Sequence, residues 1–181
     1  MTRTPSGSTL TTIHRPDGVV LELPGYDRKH RVPHDLAHLV AERHLGLTGG
    51  VFGSIAGGGV FANMRIIDGR PRHDAALRSK RLLDGNRAAL GWAELAADVV
   101  HDAVEHDNRD HAPERARGYW RTFHIDPFPW TDEQVIEAVD DLAALAADFH
   151  RTGRVEITWP DSRRNPIPTP LGLKRGRRGR K

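Results

Sequence analysis

Leu10-Thr11-Thr12-Ile13-His14 and Val19-Val20-Leu21-Glu22-Leu23 lie on either side of Arg15-Pro16-Asp17-Gly18. Two β-prone runs separated by turn-forming residues read as a β-hairpin. Pro24-Gly25-Tyr26-Asp27 ends the second strand, and the apolar period then changes from two to about 3.6. Pro33 suits the first turn of a helix, where its missing N–H costs nothing, and Gly46 suits that helix's end near His44 or Leu45. A short amphipathic helix follows over residues 72–84. Gly85-Asn86 breaks it, and a long helix runs from about Arg87 to Glu105. Residues 106–118 form a charged connection, and residues 119–130 are aromatic and interrupted by Pro127 and Pro129. Thr131-Asp132-Glu133-Gln134 has the pattern of a capping box, with Trp130 and Val135 placed as a hydrophobic staple. The helix it opens aligns Val135, Ile136, Val139, Leu142, Ala143, Ala146 and Phe149, and Gly153 ends it. Val155-Glu156-Ile157-Thr158-Trp159 alternates as a half-buried strand. The expectation is an α+β fold, in which a small antiparallel sheet (the N-terminal hairpin plus the C-terminal strand) packs against four or five helices. Residues 1–8 are expected to be disordered, 9–160 to form a single domain, and 161–181 to form a flexible basic tail.

Size and composition narrow the function classes. The chain has 181 residues, enough for one core, and 38% of them are hydrophobic. Cysteine is absent, so disulfides, thiolate metal sites and cysteine catalysis are excluded. The polar start, Met1 to His14, lacks the apolar stretch of a secretory signal, and the longest mostly apolar run, Val51 to Ala62, is too short to cross a bilayer. A cytoplasmic protein with no membrane contact is the default expectation. The net charge is +3, but residues 174–181 carry six positive charges, so the rest of the chain stands at −3. Nucleic-acid or other polyanion binding would rest on that tail alone.

The chemistry concentrates in Pro33-His34-Asp35-Leu36-Ala37-His38-Leu39-Val40-Ala41-Glu42. On a helix, His34, Asp35, His38 and Glu42 fall within one arc roughly 100° wide. Imidazoles four residues apart can meet one divalent ion, and Glu42 is the local candidate for a third ligand or a base. Asp35 is the candidate catalytic or orienting carboxylate. Zinc in such a site lowers the pKa of its bound water to about 7. The alternative is a structural polar stripe on a half-buried helix, and Arg43, which falls in the apolar arc, favours it.

The stretch resembles the HExxH helix of zinc metallopeptidases, with Asp35 in place of that motif's glutamate. The resemblance implies His34 and His38 as ligands and Asp35 as the base, one methylene shorter than usual. HDxxH also resembles a motif in an accessory protein family of ubiquinone biosynthesis, where a glutamate lies twelve residues after the second histidine; Gly50 stands at that position here. Pro-His-Asp-Leu-x-His ahead of a glycine-rich stretch further resembles a bacterial family of unknown activity.

Other features carry less chemistry. His101, Glu105, Glu94 and Asp98 are expected on a solvated helix face, with His106 and Asp102 nearer its apolar edge as remote ligand candidates. Trp120, Phe123, Phe128 and Trp130 suit the edge of a core. Gly49, Gly53 and Gly57 recur every fourth residue, which leaves two readings: a homodimer contact or a mobile loop over the site. No phosphate-loop signature is present. The functional expectation is a metal-dependent hydrolase or lyase. The alternative is a non-enzymatic interaction module whose basic tail binds an acidic partner or nucleic acid.

Overall fold

In the computed structural model, which describes residues 1–26 and 29–164, the hairpin forms as its sequence dictates. Strand β2 (Thr9–His14) pairs antiparallel with β3 (Val20–Gly25), from Thr9 opposite Gly25 to His14 opposite Val20. Gly18 takes φ +82° in the connecting turn, a conformation that suits glycine. Alternation puts Thr9, Thr11, Leu21 and Leu23 inward. Two further antiparallel strands flank the hairpin, β1 (Thr2–Arg3) beside β2 and β4 (Arg65–Asp68) beside β3. Residues 1–8, expected to be disordered, thus supply an edge strand. The chain is α+β as expected, and a sheet of four strands meets six α-helices among the described residues.

The expected C-terminal strand does not form as a full strand. Arg3 N–H donates to the Gly153 carbonyl at 2.8 Å, Val155 N–H donates to the Met1 carbonyl at 3.0 Å, and Thr2 bridges Arg154. Beyond Val155 the alternation remains in packing alone: Ile157 and Trp159 rest on the sheet-side core. Partner backbone for a longer ladder is lacking because β1 contains only two residues.

Helix α1 (His34–Leu45) is the central element. Its Leu36, Ala37, Val40, Ala41 and Leu45 join a helical core with α4 (Arg87–Glu105), α5 (Ala112–Phe123) and α6 (Asp132–Thr152). Its Leu39 faces the other way, onto Val19, Leu21 and Leu23 of the sheet and onto Phe52 and Ile55 of α2 (Val51–Ala56). A helix covered on both sides must bury some of its polar stripe as well, and this fixes the environment of the site. Arg43, which breaks the apolar arc, pairs with Asp141 of α6, and His44 Nε2 lies 3.0 Å from the same carboxylate.

The local signals for α1 and α6 hold in detail. Gly46 and Gly153 each end a helix at φ +70°, and Thr131 and Gln134 form the reciprocal capping box. On α6, Ala138 rather than Ala143 joins the buried face. Helix α5 departs from the expected charged connection. Pro113 opens it, and Ala112, Ala116, Tyr119 and Trp120 recur at helical spacing between Glu114, Arg115 and Arg117. Trp130 stacks on Trp92 at 5.5 Å and donates from Nε1 to the Leu45 carbonyl at 2.6 Å, so Trp120, Phe128 and Trp130 close the core edge at the end of α1, whereas Phe123 is exposed.

Most of the close packing in the glycine-rich segment is internal, and Gly57 stays half-buried. Gly49, Gly50 and Gly53 are buried within the chain. A Cβ on Gly53 would sit 2.1 Å from the Thr48 carbonyl oxygen, and one on Gly50 would sit 2.4 Å from Glu42 Cδ. The close approach that these glycines permit is therefore internal. Gly53→Ala should cost about 1–3 kcal/mol in urea denaturation; a neutral result would show that the Thr48 backbone yields freely. Of the basic tail expected over residues 161–181, Asp161–Arg163 form a 3-10 turn and residues 165–181 lie outside the described residues. Among the described residues no helix is long and apolar enough to cross a membrane.

Candidate metal centre

The first two turns of α1 and the first half of α4 bring His34, His38 and Glu94 together. His34 Nε2 lies 3.2 Å from Glu94 Oε1, and His38 Nε2 lies 3.1 Å from Glu94 Oε2. One ligand atom from each of the three residues can be chosen so that all lie within 4.8 Å of one another. The two rings meet edge to face at 5.0 Å. His38 is 4% exposed, whereas the side chains of His34 and Glu94 are 30% and 56% exposed, so the group is anchored on its inner side and open to solvent on its outer side.

Glu42 has a different place from the one its spacing suggested. It is fully buried, and its carboxylate accepts N–H groups at the start of α2: Val51 at 2.8 Å on Oε1, and Phe52 at 2.9 Å and Gly53 at 3.3 Å on Oε2. These are backbone donors that a helix start leaves without intrahelical partners. His38 Nδ1–H donates to Glu42 Oε1 at 3.3 Å. Glu42 therefore stands behind His38 rather than beside His34, and it holds the ring so that Nε2 faces Glu94. A carboxylate on the far nitrogen is the usual orienting partner of a metal-binding histidine. Glu94, expected on a solvated face, occupies the third-ligand place given to Glu42 in the sequence reading. No signal in the sequence shows which stripe of α4 meets α1.

Charge follows from this geometry. Burial opposes the His38 imidazolium, but the hydrogen bonds to Glu42 and Glu94 outweigh it and raise the pKa from 6.5 to about 9. The hydrogen bonds from His34 and His38 hold the Glu94 carboxyl well below the usual carboxylate range. Burial raises the Asp35 carboxyl, only partly offset by His38 and His34. Among the described residues Asp35 Oδ2 has no hydrogen-bond partner, and a Cβ on Gly25 would lie 2.9 Å from it. Asp35 follows His34 on α1, is half-buried, and turns Oδ2 toward Gly25 of the hairpin.

A second group adjoins the first. His101, expected to be solvated, is 8% exposed, and its Nε2–H donates to the Val32 carbonyl at 3.0 Å. Glu105 accepts the Arg31 and Val32 N–H groups, each at 3.1 Å. These bonds pin the chain entering α1 onto the end of α4. His106 and Asp102 pair with each other at 3.0 Å, and Asp102 also binds Arg115; they are not brought to the centre. Comparison with protein-family models, curated proteins and solved structures gives no match to this chain.

Proposed function

We propose that the chain binds a divalent cation through His34, His38 and Glu94 and uses it for hydrolysis. The observation that carries this reading is the convergence of both Nε2 atoms on the Glu94 carboxylate while Glu42 holds His38 from behind. Two imidazoles and one carboxylate form a ligand set of catalytic zinc, which leaves a position open for water. The solvent-facing side of Glu94 and His34 suits that position. Asp35 is the group for proton transfer, because its carboxyl is already shifted upward and its Oδ2 has no partner among the described residues.

The test is metal content of the purified, untagged protein by ICP mass spectrometry, beside His34→Ala/His38→Ala. At least one equivalent of zinc, manganese or iron is expected in the wild type, and one equivalent fewer in the variant. Equal content in both, or none after soaking with each ion, would leave the cluster a purely structural ion-pair network. A second expectation concerns Asp35. Its raised pKa means that its ionised form weakens the fold at neutral pH, so Asp35→Asn should raise the melting temperature of the metal-free protein, by roughly 2–4 °C for each kcal/mol gained. A lowered melting temperature would show that the carboxylate is held by the fold and not kept for chemistry.

A further inference from the structure

We infer that His30, His101 and Glu105 form a second divalent-cation site directly beside the first. The inference rests on the proposed centre at His34, His38 and Glu94. One ligand atom from each of the three residues can be chosen so that all lie within 4.8 Å of one another. His30 Nδ1 lies 3.9 Å from Glu105 Oε1, and the His30 and His101 rings meet at 5.1 Å.

Two further features show that these side chains are oriented and not merely close. His101 donates from Nε2 to the Val32 carbonyl, which fixes its tautomer and leaves Nδ1 with the lone pair. A ring held by a backbone carbonyl on one nitrogen and bare on the other is the form in which histidine ligates metals. Glu105 takes one backbone N–H on each oxygen, and a carboxylate oxygen has lone-pair capacity beyond one such bond. Arg31 is close by, with its Nε 4.0 Å from Glu105 Oε2. Its outer nitrogen is turned to the Val104 and Glu105 carbonyls and to Asp107.

His34 joins the two groups. Its ring touches His38 at 5.0 Å and His101 at 5.4 Å. On α4, Glu94, His101 and Glu105 are seven and four residues apart, so they share one helix face, and that face serves both groups.

Zinc titration of the chelator-stripped, untagged full chain by calorimetry, with bound zinc counted after gel filtration, tests the inference. His30 is 43% exposed at its side chain, so His30→Ala removes a ligand without emptying the core. The wild type should take two equivalents. His30→Ala should take one, with the second weakened more than about 100-fold, and Glu94→Gln should also take one. One wild-type equivalent that is lost in Glu94→Gln and kept in His30→Ala overturns the second site and leaves the first standing. One equivalent lost only in His30→Ala overturns the first site and with it the pairing. No zinc in any form overturns both.

Discussion

Glu42→Ala is expected to destabilise the metal-free protein by about 3–5 kcal/mol, because it removes one partner of a fully buried charged pair. Three backbone N–H groups, those of Val51, Phe52 and Gly53, lose their acceptor at once, and His38 keeps a buried charge with one carboxylate instead of two. Each unsatisfied buried donor alone costs about 1–3 kcal/mol. Water can reach part of the space the side chain leaves, so the full sum is not expected. The melting temperature should fall by roughly 6–20 °C at 2–4 °C per kcal/mol. Glu42→Gln should fall between the two, since its amide keeps one acceptor oxygen and turns a donor toward donors. Metal affinity should drop as well, by about 10–100-fold, as His38 loses the group that aims it. Urea denaturation of the three proteins decides it. A Glu42→Ala protein within 1 kcal/mol of wild type would mean that the glycine-rich segment does not depend on this carboxylate.

That dependence explains what the sequence could and could not show. His34, His38 and Glu42 share a helix face by spacing alone, and the structure keeps them on it. Spacing cannot show on which side of His38 a carboxylate sits. Glu42 projects onto the start of α2, where Gly50 lets the backbone come close enough to bind it, while Gly53 packs on the Thr48 backbone. The glycines and Glu42 looked like separate features in the sequence and are one device in the structure. Glu94 was not identifiable because its stripe on α4, read alone, has the pattern of a solvent-facing surface. It meets His34 and His38 only because α1 packs across it, and that contact is set by Val40, Ala96, Val99 and their neighbours in the helical core. The local signals were more reliable. Caps at Gly46, Thr131 and Gly153 depend on a few adjacent residues and hold, whereas the strand expected over 155–159 depended on a distant partner and is replaced by a short bridge to Thr2.

The pH dependence of stability separates a metal centre from an ion-pair network. His38 is a base whose folded pKa, about 9, stands above its ordinary 6.5. Its contribution is therefore fully present below pH 6.5 and is lost as pH rises through about 9. A difference of that size corresponds to about 3 kcal/mol for a buried group. The acid side has other owners. Glu94 is shifted down, so its contribution is present above its ordinary 4.5 and lost as pH falls. His101 is shifted down by burial, and its contribution is lost as pH falls below 6.5. The metal-free protein should thus be most stable near the ordinary histidine value and should weaken steadily toward pH 9, and His38→Gln should flatten that alkaline limb. Zinc competes with the proton for His38 Nε2, so it binds more tightly as that proton leaves. With zinc in excess, stability should hold or rise between pH 6.5 and 9 where the metal-free protein loses it, and proton release on binding should be measurable by calorimetry in two buffers at pH 7. If zinc leaves the alkaline limb unchanged, His38 serves the ion pairs with Glu42 and Glu94 and nothing more. If zinc restores it, His38 and Glu94 share a proton in the metal-free protein and, with His34, a metal in the loaded one.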